Sequence, residues 1–232
     1  MSRLALEIPL AHWDDFIEYS DFDYALAHEV INSKEYTKRY REQSDAGREV
    51  WLDNSYNELK RSVEINLLLK AMEIIQPTHL FTLERFYPRE NIKAIEDTLE
   101  VLLKRGIDIK TIGCWRGGFK ELDEISKLVN IVALPYDEPR ELIVRERDSK
   151  LYHYLGLRSL SELLTSPPRS IDTSLPIRGA VRGYEIDLCQ SRPANLGYYD
   201  PNLKLTREQL KLAKRNCEKL KEALIGKVSK SE

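Results

Sequence analysis

Residues 77–114, PTHLFTLERFYPRENIKAIEDTLEVLLKRGIDIKTIGC, decide the fold. His79–Leu83 is a short, mostly apolar run of the kind that forms a buried strand. Ile92, Ile95, Leu99, Leu102 and Leu103 then recur at three- and four-residue steps between Glu90 and Arg105, which is the spacing of one helix face. Gly106 closes that helix as a C-cap residue would, because glycine enters the left-handed conformation with no Cβ in the way. Ile109–Ile112 starts a second strand. Strand, helix and strand in this order make a βαβ unit, the building block of a parallel sheet.

The same alternation extends in both directions. Further β-rich runs are Leu4–Ile8, Glu49–Leu52, Asn130–Leu134 and Ser170–Asp172. Helical periodicity marks Glu58–Ile75, Lys120–Val129, Pro139–Asp148 and Ser159–Leu164. Six or seven such units favour an α/β chain with a compact (β/α)8 barrel over an open doubly wound sheet. Neither GxGxxG nor a GK[ST] loop follows the first strand, which weakens the nucleotide-fold alternative. The expected organisation is a barrel over residues 1–200, with a basic amphipathic helix in 201–232 packed on or beside it.

Composition narrows the class. The chain has 232 residues, 42% hydrophobic and 32% charged, with a formal net charge of -2. That balance suits a soluble cytoplasmic protein and excludes a polybasic coat for nucleic acid. No apolar run reaches membrane-spanning length and no signal peptide is read at the start. Cys114, Cys189 and Cys217 are too scattered for a disulfide framework or a ready zinc site. Charge is uneven: residues 1–30 hold seven acids and one base, residues 204–232 nine bases and four acids. The basic tail reads as a solvated helix face or as a surface that meets phosphates.

Parallel barrels carry their chemistry just after the strands. Those positions hold Asp53-Asn54-Ser55-Tyr56, Glu84-Arg85-Phe86-Tyr87, Gly113-Cys114-Trp115-Arg116-Gly117-Gly118, Pro135-Tyr136-Asp137 and Asp172-Thr173-Ser174. Asp53 and Asp172 each suit a helix cap or turn equally well. Trp115 and Tyr56 suit packing, His153 a satisfied structural role, and His12, His28 and His79 lack metal-binding spacing. Two strand-end aspartates together also suit glycosidic chemistry, in which one carboxylate attacks carbon and the other manages the leaving group's proton.

The order of these segments resembles the tRNA-guanine transglycosylase superfamily, most closely its short phage-type members that place 7-deazaguanine in DNA. Leu52-Asp53-Asn54-Ser55-Tyr56-Asn57-Glu58 stands where phage-type members carry something close to LDNGAFE. Pro77–Glu84 matches the strand whose final acid reads the purine edge, and Gly113-Cys114-Trp115-Arg116-Gly117 matches the GxxQG base loop. His153-Tyr154-Leu155-Gly156 and Ile171-Asp172-Thr173-Ser174-Leu175-Pro176 match the HYLxG segment and the nucleophile strand. The likeness spans roughly residues 49–178.

The resemblance implies that Asp172 attacks C1′ and that Asp53 is the general acid/base. It implies that Glu84, Gly117 and Ser55 hold the base edge, with Tyr56 and Arg116 lining its pocket. It implies no cofactor and no metal, and as partners a nucleic acid and a 7-deazaguanine base. A homodimer or an accessory-subunit role is allowed for. The superfamily's tRNA-acting members carry a CxCxxC…H zinc site after the nucleophile, where this chain has only Cys189 and Cys217, so DNA is favoured over tRNA. Arg116 stands in place of a glutamine and would favour an acceptor-rich or anionic group on the base. The alternatives are an N-glycosidase, in which water resolves the intermediate, and a catalytically idle barrel that binds or assists.

Overall fold

The computed structural model describes residues 2–187 and 199–226. In chain order the strands and α-helices are β1 (Arg3–Leu6), α1 (Trp13–Phe16), β2 (Asp23–Leu26), α2 (Ala27–Asn32), α3 (Lys34–Asp45), β3 (Val50–Asp53), α4 (Tyr56–Leu59) and α5 (Ile65–Ile75). There follow β4 (His79–Phe81), α6 (Pro88–Lys104), β5 (Lys110–Cys114), α7 (Phe119–Leu128), β6 (Ile131–Pro135) and α8 (Arg140–Glu146). The last elements are β7 (Tyr152–Leu155), α9 (Leu160–Thr165), β8 (Ser170–Thr173), α10 (Leu175–Val181) and α11 (Arg207–Leu224). The strand order β1-β8-β7-β6-β5-β4-β3-β2, with parallel pairings, is the cyclic order of a (β/α)8 barrel, as the sequence leads one to expect. No described helix is long and apolar enough to cross a membrane.

Two strands exceed the expectation. β2 hides inside the acidic N-terminal stretch, and its Asp23 is buried only because Arg48 clamps both carboxylate oxygens at 2.9 and 3.0 Å. β7, YHYL, carries a histidine within a wholly buried strand. The expected helix Glu58–Ile75 is two helices, broken where Lys60 takes a left-handed φ of 58°. α3 lacks an apolar stripe; only Tyr36 and Tyr40, one turn apart, are buried, and Ser33 caps its first turn.

The chain forms two compact units, residues 22–138 and residues 1–21 with 139–232. In the first, α6 begins with Pro88 in its first turn, where a missing N–H costs nothing. Ile92, Ile95 and Leu102 are buried, whereas Leu103 is 81% exposed and lies off the stripe. Gly106 (φ 65°) ends the helix; its N–H bonds Leu103 O while Ile107 N bonds Leu102 O, the paired bonds of a Schellman cap.

In the second unit, α11 docks on α10 through Asn216. This buried side chain donates to Pro176 O and Tyr184 O and accepts from Ile186 N, each at 3.0 Å. Three of the helix's six cations meet acids of the same unit closely: Lys214 with Asp15 at 2.9 Å, Lys221 with Asp21 at 2.8 Å and Lys219 with Glu185 at 2.7 Å. The acidic N-terminus and the basic tail therefore offset each other's charge.

Candidate active site

In unit 22–138 the candidate residues lie at the ends of β3, β4 and β5. Asp53 closes β3 and is 6% exposed. Its Oδ2 accepts from the Tyr24 hydroxyl at 2.7 Å and its Oδ1 from Ser55 N at 2.6 Å. The cap of α4 is Ser55 itself, in a left-handed conformation (φ 63°), so Asp53 shapes a turn and caps no helix. Ser55 is fully buried, and its Oγ accepts from His28 N at 3.1 Å. Asn54, equally buried, ties this turn to the next strand end by donating to Thr82 O at 2.6 Å.

Glu84 follows β4 and is 2% exposed. Arg116, in the loop after β5, donates from Nε (2.9 Å) and Nη2 (2.7 Å) to its Oε1. Arg116 Nη1 reaches Asp137 Oδ1 at 3.1 Å and Glu138 Oε1 at 3.0 Å, and the guanidinium lies 5.5 Å from the Tyr56 ring centroid. Four N–H···O contacts thus bind this arginine to three carboxylates. Burial pushes the Glu84 carboxyl up to about 7, against the pull of Arg116 and helped by the charge of Asp53. Burial likewise raises the Tyr56 phenol and the adjacent Cys114 thiol, keeping both protonated.

Gly117 has φ 107°, and a Cβ there would stand 3.0 Å from the Pro88 side chain, so the loop needs glycine to lie against the start of α6. Trp115 is buried and donates to Gly118 O at 3.0 Å, a packing role.

In the other unit, Asp172 sits on β8 and is 3% exposed. Side chains alternate along a strand, so Ser170 and Asp172 share a face, and the parallel register sets His153 of β7 beside Ser170. His153 therefore bridges the two: Nδ1 to Ser170 Oγ at 3.0 Å and Nε2 to Asp172 Oδ1 at 2.8 Å. Burial, with the Arg140 charge, lowers this imidazole to about 3, so the ring is neutral and carries one N–H. Toward an ionised Asp172 that proton lies on Nε2, and Nδ1 accepts from Ser170. Gly156 N is 3.4 Å from the same Oδ1. In the turn after β8, Thr173 Oγ1 accepts from Leu175 N at 3.0 Å.

A cavity of about 310 Å³ in this unit is lined by residues such as Glu141, Arg158 and Glu162, and by none of the predicted site residues. Among the described residues no group of three His, Cys, Asp or Glu side chains could hold a metal ion. Cys217 is buried in α11, and Cys189 lies outside the described residues. Tyr24 and Ser170 were not singled out from sequence; their signal is positional and needs the strand register.

No protein-family model matches this chain, and no curated protein matches it in sequence. Solved structures match in fold. 3-Hexulose-6-phosphate synthase from Salmonella typhimurium is 11% identical with a TM-score of 0.52, covering 97% of this chain and 100% of that one. The YdjI aldolase from Escherichia coli K12 is 13% identical with a TM-score of 0.52, covering 97% and 89%. Tryptophan synthase from M. tuberculosis is 10% identical with a TM-score of 0.53, covering 94% and 92%. At such identities the likeness shows the fold alone. None of the three is named a guanine transglycosylase, so that resemblance rests on its own residues.

Proposed function

We propose that this chain is a nucleic-acid guanine transglycosylase that exchanges guanine for a 7-deazaguanine base, with DNA as the preferred polymer. Asp172 attacks C1′ of the target nucleoside. The C1′–N9 bond breaks, its electron pair leaves with guanine, and Asp53 supplies the proton the departing base needs. The resulting glycosyl–aspartate ester is resolved when the incoming base, deprotonated by Asp53, attacks C1′ and releases Asp172. Two displacements at one carbon retain its configuration, and one glycosidic bond replaces another, so no cofactor supplies energy.

The observation that carries this reading is the setting of Asp172. A nucleophilic carboxylate must be aimed, kept from water and placed at a strand end; Asp172 is buried on β8 and held at 2.8 Å by a neutral histidine. Glu84 supports the base-reading role in a specific form. With Arg116 committed to three carboxylates, the group offered to a purine edge is the Glu84 carboxyl, which near pH 7 serves as donor or acceptor.

Incubation with radiolabelled guanine and either guanine-containing DNA or tRNA tests the proposal. Label should enter DNA and be chased out by excess 7-deazaguanine. Free guanine with an abasic product would instead mark the N-glycosidase, and no change in either polymer with the fold intact would reject both.

A further inference from the structure

Of the six cations of α11, Lys214, Arg215, Lys219 and Lys221 are engaged by acids, and a second candidate surface for nucleic acid lies in the other unit. In unit 22–138 the loop between β4 and α6 exposes two adjacent aromatic rings, Phe86 at 68% and Tyr87 at 62%. They touch edge to face with centroids 5.4 Å apart. Two large rings left side by side in water mark a contact site.

The loop that carries them is held firmly. Asn91 accepts from Arg85 N at 3.0 Å and donates to Cys114 O at 2.8 Å, and Asn91 N bonds Tyr87 O at 2.8 Å. Glu84 N donates to Ser62 Oγ at 2.7 Å, and Ser62 Oγ is 3.1 Å from Glu84 O. Ser62 and Glu84 are thus in contact, and their chain neighbours Arg61 and Arg85 are both exposed. Among the described residues neither arginine's side chain meets a carboxylate; the Arg85 guanidinium donates to the Glu84 carbonyl at 2.9 Å. Glu64 and Glu90 border the patch in sequence, at the starts of α5 and α6.

We infer that Phe86, Tyr87, Arg61 and Arg85 form a platform for an unpaired nucleic-acid strand, the rings stacking on bases and the guanidinium groups meeting phosphates. This rests on the nucleic-acid reading above and adds to it the form of the substrate: single-stranded, or opened around the target. Bases inside a duplex already stack on one another and offer no free face, whereas unpaired bases stack on exposed rings regardless of sequence. A platform immediately after Glu84 would hold the nucleotides that flank the base being read.

The test is fluorescence anisotropy with a fluorescein-labelled 12-nucleotide single strand and its duplex, over a series of salt concentrations. Wild type should prefer the single strand. Phe86→Ala with Tyr87→Ala should weaken that binding roughly ten- to a hundredfold. Arg61→Ala with Arg85→Ala should flatten the dependence of log affinity on log salt by about 1.4. All four side chains are exposed, so thermal unfolding midpoints should hold and report a folded protein. Unchanged single-strand affinity in the aromatic variant overturns the platform, even if base exchange proceeds. Platform-dependent binding without exchange upholds it and leaves the transglycosylase reading to fail alone. If the aromatic variant merely converts a dimer to a monomer by light scattering, with strand affinity unchanged, the patch is a contact between copies of the chain.

Discussion

His153 Nε2 lies 2.8 Å from Asp172 Oδ1, and the same ring meets Ser170 Oγ through Nδ1 at 3.0 Å. A neutral, fully buried imidazole thus joins alternate residues of β8 and fixes the carboxylate's orientation. His153→Ala should lower kcat for base exchange roughly 10- to 100-fold, because small misplacements of a reacting group are costly. His153→Gln keeps an N–H donor and should recover part of the loss. Equal loss in both variants, measured with folded protein, would show that packing and not the hydrogen bond matters.

Two buried groups should give the stability profile opposing slopes. The folded His153 titrates at about 3, below its ordinary 6.5, so the unfolded chain binds the extra proton first and stability falls as pH drops from 6.5 toward 3. Folded Glu84 titrates at about 7, above its ordinary 4.5, so its contribution is complete below 4.5 and is lost as pH rises through 7. Each effect is about 2 kcal/mol between pH 5 and 7, and they oppose. Urea unfolding should find wild type nearly flat across that range. His153→Gln should grow less stable as pH rises, and Glu84→Gln more stable.

Arg116 donates twice to one oxygen of the buried Glu84 carboxyl, at 2.9 and 2.7 Å, and offsets its charge. Arg116→Gln should therefore cost about 3–5 kcal/mol at pH 8, the usual penalty for breaking a buried pair. The loss should shrink toward pH 5, where Glu84 takes up a proton. A pH-independent loss would point to packing against Tyr56 instead.

Gly117→Ala meets two obstacles, a φ of 107° and a Cβ 3.0 Å from Pro88. Together they should cost about 1–3 kcal/mol by chemical denaturation. Gly106→Ala is the control: its φ is also positive, but a Cβ there meets nothing within 4 Å, so it should cost less.

The alternation of strand and helix was legible because buried parallel strands are short apolar runs and the helices between them keep a 3.6-residue stripe. β2 and β7 escaped because Asp23 and His153 interrupt that pattern, each made tolerable by a partner distant in sequence, Arg48 and Asp172. Asp53, Glu84 and Asp172 were legible by their position after a strand. Their surroundings were not. Tyr24 reaches Asp53 across 29 residues and Arg116 reaches Glu84 across 32, and nothing in local spacing signals such contacts. Arg116 illustrates the difference: in sequence it offers donors to a base, whereas in the fold three carboxylates take them.

Mapping a covalent intermediate tests the central claim most directly. The protein is mixed with a guanine-containing single-stranded oligodeoxynucleotide without an acceptor base, quenched in denaturant, digested and read by tandem mass spectrometry. A peptide carrying the oligonucleotide less guanine, attached at Asp172 and absent in Asp172→Asn, is the predicted result. An adduct on another residue, or exchange of labelled guanine with no dependence on Asp172, would contradict it.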